Sequence, residues 1–356
     1  VTLAGAAAER VSAVPTGDGR VSAGWDAVLD GAGLRGLAWR RDPAGRPAVA
    51  DGNRSVVLPG PVATVDGLPM YASLKGVGAV TPMYGDELPG RAFTGEVWYG
   101  EAPFGGQGPV NALRGLDVTA RAAGTTSVLG LRICPVVQVV EVPEGLVDRG
   151  AYWYRRWAGP VLQELRLVPS DVRLFHAAPT TLGQDPEGAL ARFGDPDLDT
   201  FLENLLRSGL AALTVWARTT RDTPHGPSGL SFANVWLDKD SVVAPDGTLF
   251  FADLEGLDER PAGPGSGSTA EERVREAFEH NRYELWYAVD LLQRLHERRS
   301  GRPLDPARRR RVVAARVELA VAGDPVLRAL AGPSGLDLEV RPGAGVPPVT
   351  LRLIDW

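Results

Sequence analysis

The chain has a single cysteine, Cys134, and four histidines in 356 residues. One thiol excludes an internal disulfide, and so few histidines leave little material for a Cys/His metal site. Cys134 itself, in "LRICPVVQVV", reads as a core residue of a strand. No stretch approaches the ~18 unbroken apolar residues of a membrane span. The start, "VTLAGAAAER", lacks a basic region followed by an apolar one. No signal peptide is therefore expected, and a cytoplasmic location is the default. Excess positive charge is missing too, since the formal net charge is −6. That argues against nucleic-acid binding, which needs a basic face. The one basic run, "ARRRR" at 307–311, opens a predicted helix and reads as a solvated surface.

What is present fits a globular protein. With 44% hydrophobic and 23% charged residues the chain can build cores, and its length allows two lobes. Residues 1–70 are rich in Gly, Pro and Ala around short apolar runs such as "SVVL", which predicts short strands and loops. "MYASLKGVGAV" (70–80) reads as a strand running into a glycine turn, and 91–108 as a strand followed by a loop. "PVNALRGLDVTARAAG" (109–124) has helical spacing with proline in the first turn. "GLRICPVVQVVEVPEG" gives one or two buried strands.

Past residue 150 the pattern becomes helical, over 196–218, from 270 to about 299, and near 305–330. Between the first two of these helices, "FANVWLD" and "GTLFFADL" read as two short strands of a hairpin within 232–256. The tail reads as a terminal hairpin. The expected fold is α+β, a β-rich lobe over 1–150 with one helix and a mainly helical lobe over 151–356. That is the plan of a two-lobed protein-kinase-like fold, not of a doubly wound sheet.

Transfer from a nucleoside triphosphate needs a cation on the phosphates and oxygen ligands for Mg²⁺. Lys75 ends a strand in "LKGVG", where Gly76 and Gly78 let the backbone approach phosphates; the bland alternative is a lysine before an ordinary turn. In a kinase-like lobe an acid holds that ammonium, and Asp117 on the 109–124 helix and Glu101 in the preceding loop are rival candidates. Asn234 precedes Asp253 by 19 residues across the predicted hairpin, the arrangement by which kinase-like sites ligate Mg²⁺. His225 and Gly226 stand shortly before Asn234. Glu255 is a further acid beside the site or a plain surface residue. Arg166 and Arg173 flank "PS" in an irregular segment, 165–177, and either clamp a triphosphate or sit on the surface.

In this order the motifs resemble the selenoprotein O family, kinase-like proteins that transfer AMP to hydroxyl side chains of other proteins. "LKGVG", "LRLVPSDVRLFH", "HG" at 225–226, Asn234 and Asp253 carry the resemblance, over about residues 70–260. It implies ATP bound in a flipped pose, with Lys75, Arg166 and Arg173 on phosphates and Asn234 and Asp253 on the metal. The chain departs from the family at Ala233, where the family has its base, and at "DLEG", which is similar to small-molecule kinases such as aminoglycoside phosphotransferases. His225, Ser231 or Asp238 are possible substitutes for the base. The expectation is an ATP- and Mg²⁺-dependent transferase acting on a hydroxyl of a protein, peptide or small molecule, with AMP transfer favoured by the arginine pair. The alternatives are a small-molecule kinase, a pseudokinase scaffold for which Ala233 speaks, and an ATP-grasp ligase, whose alternating α/β pattern is not seen.

Overall fold

A computed structural model describes residues 8–17, 19–51, 55–77, 108–122, 124–128, 130–147, 159–174, 182–219, 237–254, 270–325, 328, 337–340 and 349–352. The chain is a mixed α+β protein whose centre is an eight-stranded sheet. Its strands are β1 (Ala8–Pro15), β2 (Gly19–Val21), β3 (Leu37–Arg41), β4 (Arg46–Ala50), β5 (Ser55–Val65) and β6 (Leu68–Lys75). With β9 (Val136–Glu141) and β10 (Leu162–Val168) they run in the order β2-β9-β10-β6-β5-β4-β1-β3. Every paired neighbour in this sheet is antiparallel. β10 lies between β9 and β6, so the stretch that builds the sheet runs past the boundary expected at residue 150.

Local chemistry fixes the register. Asp66 and Gly67 join β5 to β6 with φ of 54° and 81°, a two-residue turn whose twist matches the strands it connects. The strand predicted around "MYASLK" is β6, and its end is set by Gly76, at φ 96°. Only glycine takes that conformation without strain. The first seventy residues also contain a helix that short-strand reading misses, α1 (Asp26–Ala32), closed by Gly33 in the left-handed region.

Beyond the first strands, α2 (Pro109–Arg121) starts on a proline as expected. It lies against β9, where the Val136 amide donates to Thr119 Oγ1 at 2.8 Å. Two small antiparallel pairs follow, β7 (Ser127–Val128) with β8 (Leu131–Arg132), and β11 (Ser241–Val243) with β12 (Leu249–Phe251). α3 (Pro186–Arg192) and α4 (Leu198–Thr219) precede a short helical turn, α5 (Leu237–Asp240). α6 (Ala270–Arg299) and α7 (Pro306–Gly323) complete the helices, and β13 (Asp337–Val340) pairs with β14 (Val349–Arg352) as the predicted terminal hairpin. The start of α7 is capped by the Asp305 carboxylate, which accepts from the Arg308 amide at 3.0 Å. No helix among the described residues is long and apolar enough to cross a membrane.

Two apolar clusters meet at the β11–β12 hairpin. One is helical: Phe201, Leu205 and Leu213 of α4 pack with Phe278, Leu285 and Leu292 of α6 and with Val317 of α7. The other fills the sheet, around Val56, Met70, Leu74 and Leu167. Each large apolar side chain fully covered in this way stabilises the fold by about 1.5–3 kcal/mol. Successive residues of the hairpin point to opposite faces. Val243, Leu249 and Phe251 accordingly join the helical cluster, while Val242, Phe250 and Ala252 join the sheet cluster. Gly247 makes this possible. Its φ is 92°, and a Cβ there would lie 2.2 Å from the Phe201 carbonyl oxygen of α4.

The hairpin itself differs from the prediction. Its first arm is Ser241–Val243, which had read as connecting loop, and Leu237–Asp240 at the end of "FANVWLD" is helical. The charged "DKD" masked a short β-branched run. The Ala252 amide donates to the Asp240 carbonyl at 2.8 Å and closes the hairpin's base.

Candidate functional site

Strand alternation places residues i and i+2 on one face, and register carries that face from strand to strand. Asp51 follows β4 and pairs with Ser55, its amide donating to the Ser55 carbonyl at 2.9 Å. Ser55 stands opposite Lys75, and Lys75 opposite Glu164. Two residues along, Ser73 stands opposite Arg166. The centre of the sheet therefore carries a polar band made of Asp51, Ser73, Lys75, Glu164 and Arg166, all buried.

Asp253, the residue after the hairpin's closing alanine, is presented to this band. Lys75 Nζ lies 3.1 Å from Asp253 Oδ1, joining residues 178 apart in sequence. Arg166 Nη1 donates to the same oxygen at 2.8 Å and to the Ala252 carbonyl at 2.8 Å. Arg173 donates through Nε and Nη2 to the two oxygens of Asp51, at 2.9 and 3.1 Å, and through Nη1 to the Lys239 carbonyl at 3.0 Å. Ser73 Oγ is 3.5 Å from Asp51 Oδ2. The two arginines thus grip the hairpin at both ends, Lys239 just before β11 and Ala252 just after β12. Asp253 is fixed because the backbone before it is fixed.

The electrostatics follow from this geometry. Burial opposes ionisation of Asp253, but the charges of Lys75, Arg166, Arg173 and Lys239 together hold its carboxyl well below the usual carboxylate range. Burial likewise works against the charge on Arg166 and Arg173; the neighbouring carboxylates outweigh it and leave both guanidiniums more firmly protonated than usual. Cys134 is buried beside this group, its amide donating to the Phe251 carbonyl at 2.7 Å. Burial pushes its thiol up to about 12, so it stays protonated at neutral pH and serves as packing.

Lys75, Arg166, Arg173 and Asp253 are therefore brought together, and Gly76 adjoins them. Gln163 Nε2 holds the Gly76 carbonyl at 3.0 Å. Two expectations change. The segment expected to be irregular is a buried strand up to Val168, and Arg166 and Arg173 are 0% and 8% exposed in their side chains. Their guanidiniums hold Asp51 and Asp253 rather than lining an open clamp. Asp117 is exposed on α2, and its side chain is not drawn to Lys75; among the described residues Lys75 meets Asp253. Gly78, Glu101, His225, Ser231, Ala233, Asn234 and Glu255 lie outside the described residues, as does the side chain of Asp238.

Two participants escaped the sequence reading. Asp51 sits in "ADGN", which signals only a turn. Lys239 had a visible signal, since Lys75 and Lys239 are the chain's two lysines among 38 basic residues, and both act on Asp253. Lysine is a compact point charge with rotatable donors, unlike the planar guanidinium.

The chemistry of the donors fits a Mg²⁺-nucleotide in part. Asp253 is ionised, its side chain is 29% exposed, and its Oδ2 accepts no hydrogen bond among the described residues. That is an oxygen available to a hard cation, with Lys75 Nζ beside it for a phosphate. One carboxylate does not complete a site, because Mg²⁺ takes about six oxygens. Among the described residues no three His, Cys, Asp or Glu side chains cluster to hold a metal. No protein-family model matches the chain, and no curated protein matches it.

Proposed function

We propose that the chain is an ATP- and Mg²⁺-dependent transferase with a two-lobed kinase-like arrangement, moving phosphate or AMP to a hydroxyl acceptor. The observation that carries this reading is the 3.1 Å contact between Lys75, at a strand end before a glycine turn, and Asp253, at the end of a hairpin. A phosphate-binding cation and a metal-binding carboxylate must stand side by side for such chemistry. Asp253 through Oδ2, with Asn234 expected beside it, would hold the metal, and Lys75 would hold phosphate oxygens. The bound metal supplies charge neutralisation on the phosphates. The protein's part is to fix positions and present fixed charges, which is most of catalysis in this class. ADP leaves if phosphate moves, and pyrophosphate if AMP moves; the acceptor's proton passes to a base or to water. The acceptor is a hydroxyl of a protein, peptide or small molecule.

The arginine pair no longer separates the two transfers, since both guanidiniums are buried against carboxylates. A second reading, a nucleotide-binding module without chemistry, is favoured by the double occupancy of Asp253 Oδ1 by Lys75 and Arg166. Incubation with Mg²⁺ and ATP labelled separately at the α- and γ-positions tests all of these. Transfer of either label, lost in Asp253→Ala, supports the transferase and identifies the group moved. Binding without transfer supports the second reading, and no nucleotide binding at all removes both.

A further inference from the structure

Asp253 Oδ1 is taken by two cations, so any ligand must use Oδ2. What keeps that oxygen open is not obvious, because two buried arginines stand close by. Arg166 uses only Nη1; its Nε and Nη2 are buried and make no hydrogen bond, with Nη2 3.8 Å from Asp51 Oδ2. Arg173 is held by Asp51 through both carboxylate oxygens, a planar fork-to-fork pairing. The Asp51 side chain is 1% exposed. Neither arginine can reach solvent, and a buried cation that loses its partner turns to the next carboxylate within reach. For Arg173 that carboxylate is Asp253, whose charge already acts on it, while Arg166 already donates to Asp253 Oδ1.

We infer that Asp51 is a positioning residue that holds the buried Arg173 away from Asp253 Oδ2 and so keeps that oxygen available to a cation. Asp51 acts through Arg173 and does not touch the ligand. For the identity of the ligand, Mg²⁺ with ATP, the inference rests on the transferase reading; for the geometry it does not.

The test is Asp51→Asn, which keeps the shape and removes the charge, beside the charge-balanced double variant Asp51→Asn/Arg173→Gln. A crystal structure of Asp51→Asn is expected to show Arg173 donating to Asp253 Oδ2. Calorimetry is expected to show Mg²⁺–ATP affinity lower by about tenfold or more, as when a metal ligand loses its outer support. The double variant, which has no Arg173 to move, is expected to recover most of that affinity, and the arginine position in the Asp51→Asn crystal structure separates this role from a merely structural one. Arg173 left in place in Asp51→Asn, or a double variant no better than the single one, overturns the inference. If Asp51→Asn alone fails to fold and the double variant folds, Asp51 supplies charge balance for folding and the inference is overturned, as it is if both fail. Absence of Mg²⁺–ATP binding by the unaltered protein counts against the transferase reading, while the arginine positions in Asp51→Asn still decide this one.

Discussion

The ion pairs beneath Asp253 and the exposed ones along the helices use the same residue types in opposite settings. Around Asp253, Arg166 and Arg173 are almost fully buried, and each bonds a carboxylate together with a backbone carbonyl. Along the helices, Arg299 meets Glu187 and Asp195 with side chains 35%, 53% and 64% exposed, and Arg207 meets Glu203 one turn away in the open. A charge in water loses little when its partner goes. A covered one has no alternative solvent, so the covered group must be complete or it unfolds what surrounds it. The difference locates one place where this chain has committed charge to holding a geometry, the junction of the sheet with the β11–β12 hairpin.

The strongest way to break the contrast is Arg166→Met. It removes the tie to Ala252 and leaves Asp253 and Asp51 short of a buried countercharge. A loss of about 3–5 kcal/mol is expected, as for buried pairs that lose one member. Denaturant titration measures it. A loss no larger than that of an exposed pair would mean that the band contributes nothing to the fold. Arg166→Lys should recover part of the loss, since both bonds come from one nitrogen, Nη1, and an ammonium has donors for both.

Asp253→Asn gives a smaller effect that depends on pH. The folded carboxyl is held well below 3.8, by the cations around it and against its burial. A depressed folded value means stability that is fully present above the unfolded value, near 3.9, and lost as pH falls through the folded one. The unaltered protein should therefore exceed Asp253→Asn by about 1–3 kcal/mol, the scale of a charged hydrogen bond, at pH 5–7. Below pH 4 the gap should narrow. Thermal melts across that range follow it; a gap that widens in acid would reverse the assignment of charge.

The same contrast explains what could be read in advance. Helices α4, α6 and α7 and strand β6 were visible because local spacing and caps determine them, as with Pro306 after Asp305. Lys75 and Asp253 stood out because each ends a strand next to glycine-rich or acidic chain. Arg166 and Arg173 stood out as a pair, but not their burial, which is set by β10 pairing with β6 and β9 rather than by any neighbour in sequence. Asp51 is the clearest case of what sequence hides. Its "DG" context signals a turn, and its partner lies 122 residues away. Asp117, one of two rival candidates for the acid beside Lys75, illustrates the same point, since helical spacing does not say which face of α2 meets the sheet. Here Ala112, Leu116 and Thr119 are buried and Asp117 is exposed.

Arg299→Gln sharpens the comparison from its weaker side. Arg299 Nη2 lies 2.6 Å from Glu187 and 3.2 Å from Asp195, joining the end of α6 to α3 and the turn after it. Two carboxylates on one guanidinium look, by distance, at least as favourable as the contacts of Arg166. Exposure decides otherwise. Water solvates all three groups once the contact is lost, and holding a long side chain in one rotamer offsets much of the Coulomb gain. The expected change in unfolding free energy is within about 0.5 kcal/mol at 0.15 M salt, where the Debye length is about 8 Å. The difference between Arg299→Gln and the unaltered protein should grow at low salt and vanish near 1 M, whereas that for Arg166→Met should barely change. A large, salt-independent loss in Arg299→Gln would show that burial is not what separates the two groups of ion pairs.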